Sequence, residues 1–131
     1  MQINLEQLNN KFARKGNVSK TDLLLFADNN FSSIDYDTGN EVFFVARQSA
    51  RWLLHSLKHD ELSFRQASKV MYLKRHYTEK GSVDAWSKKP VIIDINTCTI
   101  EDGVVRLYAI ALCDNPKAIS LPIEFRGEWY E

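Results

Sequence analysis

The sequence predicts a single α+β domain, residues 1–131, in which N-terminal helices pack on a small mixed sheet formed by residues 90 to 126. Three observations point there. The 131 residues are 44% apolar and 26% charged with only five Gly and three Pro, an ordinary globular composition with room for one core. Apolar residues recur at helical spacing up to about Lys80. After Pro90 the pattern shortens to β-branched runs and gives the order β-β-α-β. Residues 1–61 form the helical part, 62–127 the mixed part and 128–131 a tail.

In chain order, Ile3, Leu5, Leu8 and Phe12 predict a first helix, with Arg14-Lys15 near its C-terminus and Gly16-Asn17 ending it. Ser19 is an N-cap candidate, with Asp22 three residues on, for a short helix through Leu23-Leu24-Leu25-Phe26-Ala27 to about Asp28. Asn29 to Asn40 is rich in Asn, Ser, Asp and Gly and reads as a loop or short β element. From Glu41, the spacing of Val42, Val45, Ala46, Ser49, Leu53 and Leu57 predicts a helix. Another should run from Ser63 to Lys80, with Phe64, Ala67, Val70, Met71 and Tyr77 inward and Gly81 as its stop. Val91–Ile95 and Cys98–Ile100 then read as a hairpin around Asn96-Thr97. Val104 to Cys113 reads as a buried helix ending at Asp114-Asn115-Pro116. Ala118 to Phe125 reads as a strand with Ile119, Leu121, Ile123 and Phe125 on one face.

Formal net charge is zero, but residues 42–89 carry ten Lys/Arg against four Asp/Glu, while residues 1–41 carry four against six and residues 90–131 three against seven. A basic middle suits phosphates or an acidic protein, and acidic ends suit a basic groove. No apolar run approaches the roughly 18 residues that span a bilayer, and no basic n-region opens the chain, so a cytoplasmic protein without membrane contact is expected. Cys98 and Cys113 have no CxxC spacing and read as small buried hydrophobes. His55, His59 and His76 lack a carboxylate or Cys at ligand spacing, and no Gly-x-Ser-x-Gly is present. No metal, cofactor or catalytic residue is therefore expected.

Arg47, Arg51, His55 and Lys58 fall at i, i+4, i+8 and i+11, and Arg65, Lys69, Tyr72 and His76 repeat the arrangement, with Lys74, Arg75 and Lys80 nearby. Each Lys or Arg can replace a counterion on a phosphate backbone and Tyr72 can stack on a base, so these stripes are candidates for binding nucleic acid or an acidic partner. Solvated helix faces would look the same.

The stretch Pro90-Val91-Ile92-Ile93-Asp94, then Glu101-Asp102-Gly103-Val104-Val105-Arg106-Leu107-Tyr108-Ala109, then Pro122-Ile123-Glu124-Phe125-Arg126-Gly127, resembles the ParB/sulfiredoxin-like fold over about residues 62–127. It is closest to small phage-type members that read Asp-Gly-Gln-His-Arg-Leu. In that family a helix N-terminus holds a phosphate and the two positions after Gly carry the chemistry. Here those positions are Val104 and Val105, which offer no proton, lone pair or metal ligand. The resemblance thus implies a non-enzymatic, phage- or mobile-element-type protein. Asp102, Gly103 and Arg106 stand as a residual phosphate site that could still hold a nucleotide, or, for Arg106, as a structural ion pair.

The last residues, Glu128, Trp129, Tyr130 and Glu131, combine interface-type aromatics with acids and are either a protein-binding tail or a segment folded onto the core. The expected function is a binding protein that engages nucleic acid or a host nucleic-acid-handling protein, an anti-CRISPR or other anti-defence inhibitor being one form; oligomeric state is left open.

Overall fold

The structure, a computed structural model, describes residues 4–80, 89–114 and 117–130. The elements are α1 (Leu5–Asn9), α2 (Lys20–Asn30), β1 (Phe31–Ile34), β2 (Glu41–Val45), α3 (Arg47–Ser56), α4 (Phe64–Lys80), β3 (Val91–Asp94), β4 (Thr99–Asp102), α5 (Val104–Leu112) and β5 (Ile119–Arg126). The five strands make one mixed sheet in the order β1-β2-β5-β3-β4, antiparallel except where β5 runs beside β3. The α+β class is as expected.

β5 joins two half-ladders. Its first four residues, Ile119–Pro122, pair with Val45–Val42, and its last four, Ile123–Arg126, pair with Val91–Asp94. Pro122 sits at the changeover. A proline has no N–H to donate and is poorly tolerated where a strand is paired on both sides, so this stagger gives it a place. Pairing puts Phe43, Val45, Val91, Ile93, Ile119, Leu121 and Ile123 on one face, all buried in a single cluster with Leu53 and Leu54 of α3, Ala67, Val70 and Leu73 of α4 and Leu107 of α5. Each Val, Leu, Ile or Phe side chain among them contributes about 1.5–3 kcal/mol on burial. The opposite face carries Ser120, Glu124 and Arg126, all exposed.

Local chemistry explains several boundaries. Ser19 Oγ accepts from the Asp22 amide at 3.1 Å and caps α2. Ser63 and Gln66 form a reciprocal box at the head of α4: the Ser63 amide donates to Gln66 Oε1 at 2.9 Å, and the Gln66 amide to Ser63 Oγ at 3.1 Å. The turn between β3 and β4 is held by Asp94 Oδ1, which accepts from the Asn96 and Thr97 amides at 2.9 and 3.1 Å, and these bonds hold its carboxyl below the usual range.

Four expectations need correction. The helix expected from Glu41 begins only at Arg47. Glu41–Val45 is a strand between β1 and β5. Val42 and Val45 share a face only at helical spacing; in the strand the buried, alternating pair is Phe43 and Val45, and the β-branched and aromatic run Val42-Phe43-Phe44-Val45 favours the sheet. Consequently the sheet is not confined to residues 90–126 and draws two strands from the N-terminal part. The first helix stops at Asn9, and the segment expected to continue it turns onto α3 instead: Arg14 and Gly16 adopt positive φ and the amides of Lys15 and Gly16 donate to the His55 and Ser56 carbonyls at the end of α3. Phe64, expected inward, is 61% exposed, and Leu73 is the residue of α4 buried in its stead. Ile3, the Gly81 stop, Asn115-Pro116 and Glu131 lie outside the described residues.

Tyr108 of α5 is fully buried, its ring edge-on to Phe12 at 5.1 Å and to His59 at 5.8 Å. Its hydroxyl has no hydrogen-bond partner among the described residues. An unsatisfied buried hydroxyl costs about 1–3 kcal/mol, so Tyr108→Phe should leave thermal stability unchanged or raise it. A marked drop in melting temperature would show that the hydroxyl is bonded.

Candidate functional site

The candidate basic residues divide by what their side chains touch. Arg51 Nε donates to the Ala111 carbonyl at 2.9 Å and Arg47 to the Cys113 carbonyl at 3.4 Å, so both guanidinium groups meet the C-terminal end of α5, where carbonyls lack helical partners. Lys58 lies beyond α3, bridged to Thr99, and its alkyl stem packs over Gly16, where an added Cβ would come within 2.3 Å of Lys58 Cγ. His55 Nδ1 accepts from the Ala13 amide at 3.0 Å. The first stripe therefore holds α3 against α5 and the 13–16 segment.

The second stripe is a helix face. Arg65, Lys69, Tyr72 and Arg75 are exposed on α4, and Tyr72 stands 6.1 Å from the His76 ring, tilted by 35°. Phe64 at the head of α4 and Tyr72 are 61% and 62% exposed, an aromatic pair beside the cations. Following α4 round from Arg75 leads to Lys74 and Met71, which line a cleft of about 370 Å³ between α1, α3, α4 and the end of α5. Its polar lining is Asn4, Gln7, Lys11, Arg51 and Lys74, three cations and no carboxylate. Lys11, contributed from just beyond α1, carried no signal in the sequence pattern. Only the path of the chain brings it to Lys74.

The residual phosphate residues line a different cleft, of about 350 Å³, at the N-terminus of α5. Gly103 is the N-cap, with φ 93°, and a Cβ there would fall 2.6 Å from Val91 Cγ2. Its amide donates to its neighbour Asp102 Oδ1 at 2.9 Å. Arg106 is 5% exposed and donates to the Lys89 carbonyl; burial pulls its guanidinium below the usual value, against the opposing pull of Tyr77 and Asp102. Val104 and Val105 line the same cleft. Around it stand Asp60, Glu61, Glu101 and Asp102 against Lys69, Lys89 and Arg106, with Glu61 and Glu101 also paired at 3.6 Å to Arg14 and Arg126, so the cleft is of mixed charge and not a basic recess for a phosphate. The glycine is thus demanded by backbone shape and the arginine ties α5 to the chain entering β3.

The tail is partly folded back. Trp129 is partly buried against Phe125, with ring centroids 5.2 Å apart, and Lys20 Nζ donates to the Glu128 carbonyl at 2.9 Å, while Tyr130 is exposed. Among the described residues no three His, Cys, Asp or Glu come together as a metal-holding group. No helix among them is long and apolar enough to cross a membrane. With this geometry in hand, comparison with protein-family models, curated proteins and solved structures returns no match.

His59, which follows α3, is another buried titratable group. Its Nε2 lies 3.0 Å from the Leu54 carbonyl and its Nδ1 3.3 Å from that of Asp60. Burial, the largest influence, lowers its pKa against the raising effect of those two carbonyls.

Two predictions rest on these arrangements. Gly103→Ala meets both the positive φ and the Val91 side chain and should destabilise by about 1–3 kcal/mol in denaturant titration; a neutral effect would mean that α5 can start differently. For His59 the folded pKa lies below the unfolded 6.5, so the unfolded chain binds more protons between the two values. Its contribution to stability is present above pH 6.5 and declines as pH falls through the window beneath it. Melting temperature should therefore drop on acidification below about 6.5, and His59→Gln should flatten that slope. An unchanged slope in the variant would contradict the assignment.

Proposed function

We propose that the protein is a non-enzymatic binding protein whose partner is a nucleic acid, engaged through the cleft between α1, α3 and α4 and the adjoining outer face of α4. The observation that carries this reading is the cleft's lining: Lys11, Arg51 and Lys74 with Asn4 and Gln7, and no carboxylate. A recess with one sign of charge concentrates counter-charge, and amide side chains add donors to phosphate oxygens. Arg51 keeps guanidinium N–H groups beyond the one given to Ala111, since an arginine has five. From the cleft, Arg75, Tyr72 and Arg65 continue round α4, so a strand whose phosphate sits at Lys74 can lay a base against the exposed Tyr72 or Phe64.

The absence of chemistry in the reading follows from the α5 N-terminus. Val104 and Val105 supply no acid, base or ligand there, and Arg106 and the Gly103 amide are both engaged within the protein. Nucleotide binding at Asp102, Gly103 and Arg106 would have to displace those bonds and overcome the surrounding carboxylates. Single strands suit the reading better than duplex, because stacking on an exposed ring needs an unpaired base.

The test is binding of a single-stranded oligonucleotide across a salt series. Affinity should fall steeply with salt, and Lys11→Ala and Lys74→Ala should each reduce the log–log slope by about 0.7. Arg65→Ala and Arg75→Ala should do the same with no loss of stability. Absence of binding at low salt, or indifference to all four substitutions, would overturn the proposal.

A further inference from the structure

A third recess lies at the far side of the sheet's join, where β2 has ended and the last four residues of β5 pair only with β3. It measures about 460 Å³ and lies among α2, the β1–β2 hairpin, β5 and the tail. Four aromatic rings run along it in series: Phe31 edge-on to Phe43 at 5.8 Å, Phe43 edge-on to Phe125 at 5.6 Å, and Phe125 against Trp129 at 5.2 Å. Three carboxylates line it, Asp28 from α2, Glu41 from the start of β2 and Glu124 from β5, and its lining includes no Lys, Arg or His. Glu124 is partly neutralised by Arg126 at 2.9 Å. Asp28 and Glu41, both exposed, have no ion-pair partner among the described residues.

We propose that this recess receives an arginine or lysine side chain from a basic segment of a partner protein. Ring faces attract a cation through their quadrupole, tryptophan most strongly, and a carboxylate beside the ring supplies the charge-assisted hydrogen bond that fixes it. Aromatic walls without the acids would suit any apolar group. Acids without the walls would bind counterions in open water. The combination selects an organic cation. The surroundings favour a cation carried on a protein over a free one: Phe31, which lines the recess, and Ile34, paired with Glu41 across the hairpin, are 47% and 48% exposed, an apolar margin larger than a lone small cation can cover. This surface is separate from the basic cleft at α1 and α4 and does not depend on the nucleic-acid reading.

The experiment is calorimetric titration of the full-length chain with a nine-residue arginine peptide, a serine peptide of the same length and free arginine amide. The arginine peptide should bind, the serine peptide should not, and arginine amide should bind more weakly than the peptide. Asp28→Asn with Glu41→Gln should reduce peptide affinity roughly tenfold, whereas Glu79→Gln with Asp114→Asn, an equal charge change elsewhere, should alter it less than about twofold. Trp129→Leu should weaken binding as well, read only in protein whose melting shows that it is folded. Oligonucleotide affinity should be unaffected by the Asp28/Glu41 pair, which separates failure here from failure of the nucleic-acid reading. Equal losses in the two double variants would reduce the effect to net charge and overturn the proposal. So would binding of the serine peptide with the same affinity, arginine amide binding as tightly as the peptide, or wild-type dimers that the Asp28/Glu41 variant abolishes.

Discussion

Burial of α5 is the constraint on which the rest depends. From Arg106 to Ala111 every residue of this short helix is buried, with α3 and α4 packed against it. A helix enclosed in this way cannot leave its terminal backbone groups to water, so neighbours must meet them. Arg51 and Arg47 meet the carbonyls at one end, while Gly103 lets the chain turn into the helix directly against Val91 at the other. Arg106 then pins the chain that enters β3.

That requirement redistributes residues that look functional. A basic stripe on α3 becomes, in its first half, the cap of a neighbouring helix, and a glycine–arginine pair at a helix N-terminus becomes a packing device. Apart from Arg51, which caps α5 and also lines the basic cleft, the charges left for partners are those that the core has no use for. They are segregated, with cations around α1 and α4 and carboxylates around the β1–β2 hairpin and β5. A chain of zero net charge can in this way present two recesses of opposite sign.

Much of this architecture is legible in the sequence where the pattern admits one period. The hairpin at Asn96-Thr97, the largely apolar α5, the alternation of Ile119, Leu121 and Ile123, the cap at Ser19 and the start of α4 near Ser63 all follow from local chemistry. β2 does not, because the spacing of Val42 and Val45 matches a helix while the strand's own inward pair is Phe43 and Val45, and the deciding partner, β5, lies far along the chain. The sites divide likewise. Helical spacing identifies the exposed face of α4, but it does not reveal that Arg47 and Arg51 face the end of α5. The two recesses are assembled from separate segments, Lys11 with Lys74 and Phe31 with Phe125 and Trp129, so no window of sequence contains either.

Recognition at surfaces away from the α5 N-terminus is tested most directly by hydrogen–deuterium exchange with a bound single-stranded oligonucleotide. Added protection is expected in residues 5–11 and 69–76, with residues 102–106 unchanged. Protection centred on residues 102–106, with α1 and α4 unaffected, would contradict it.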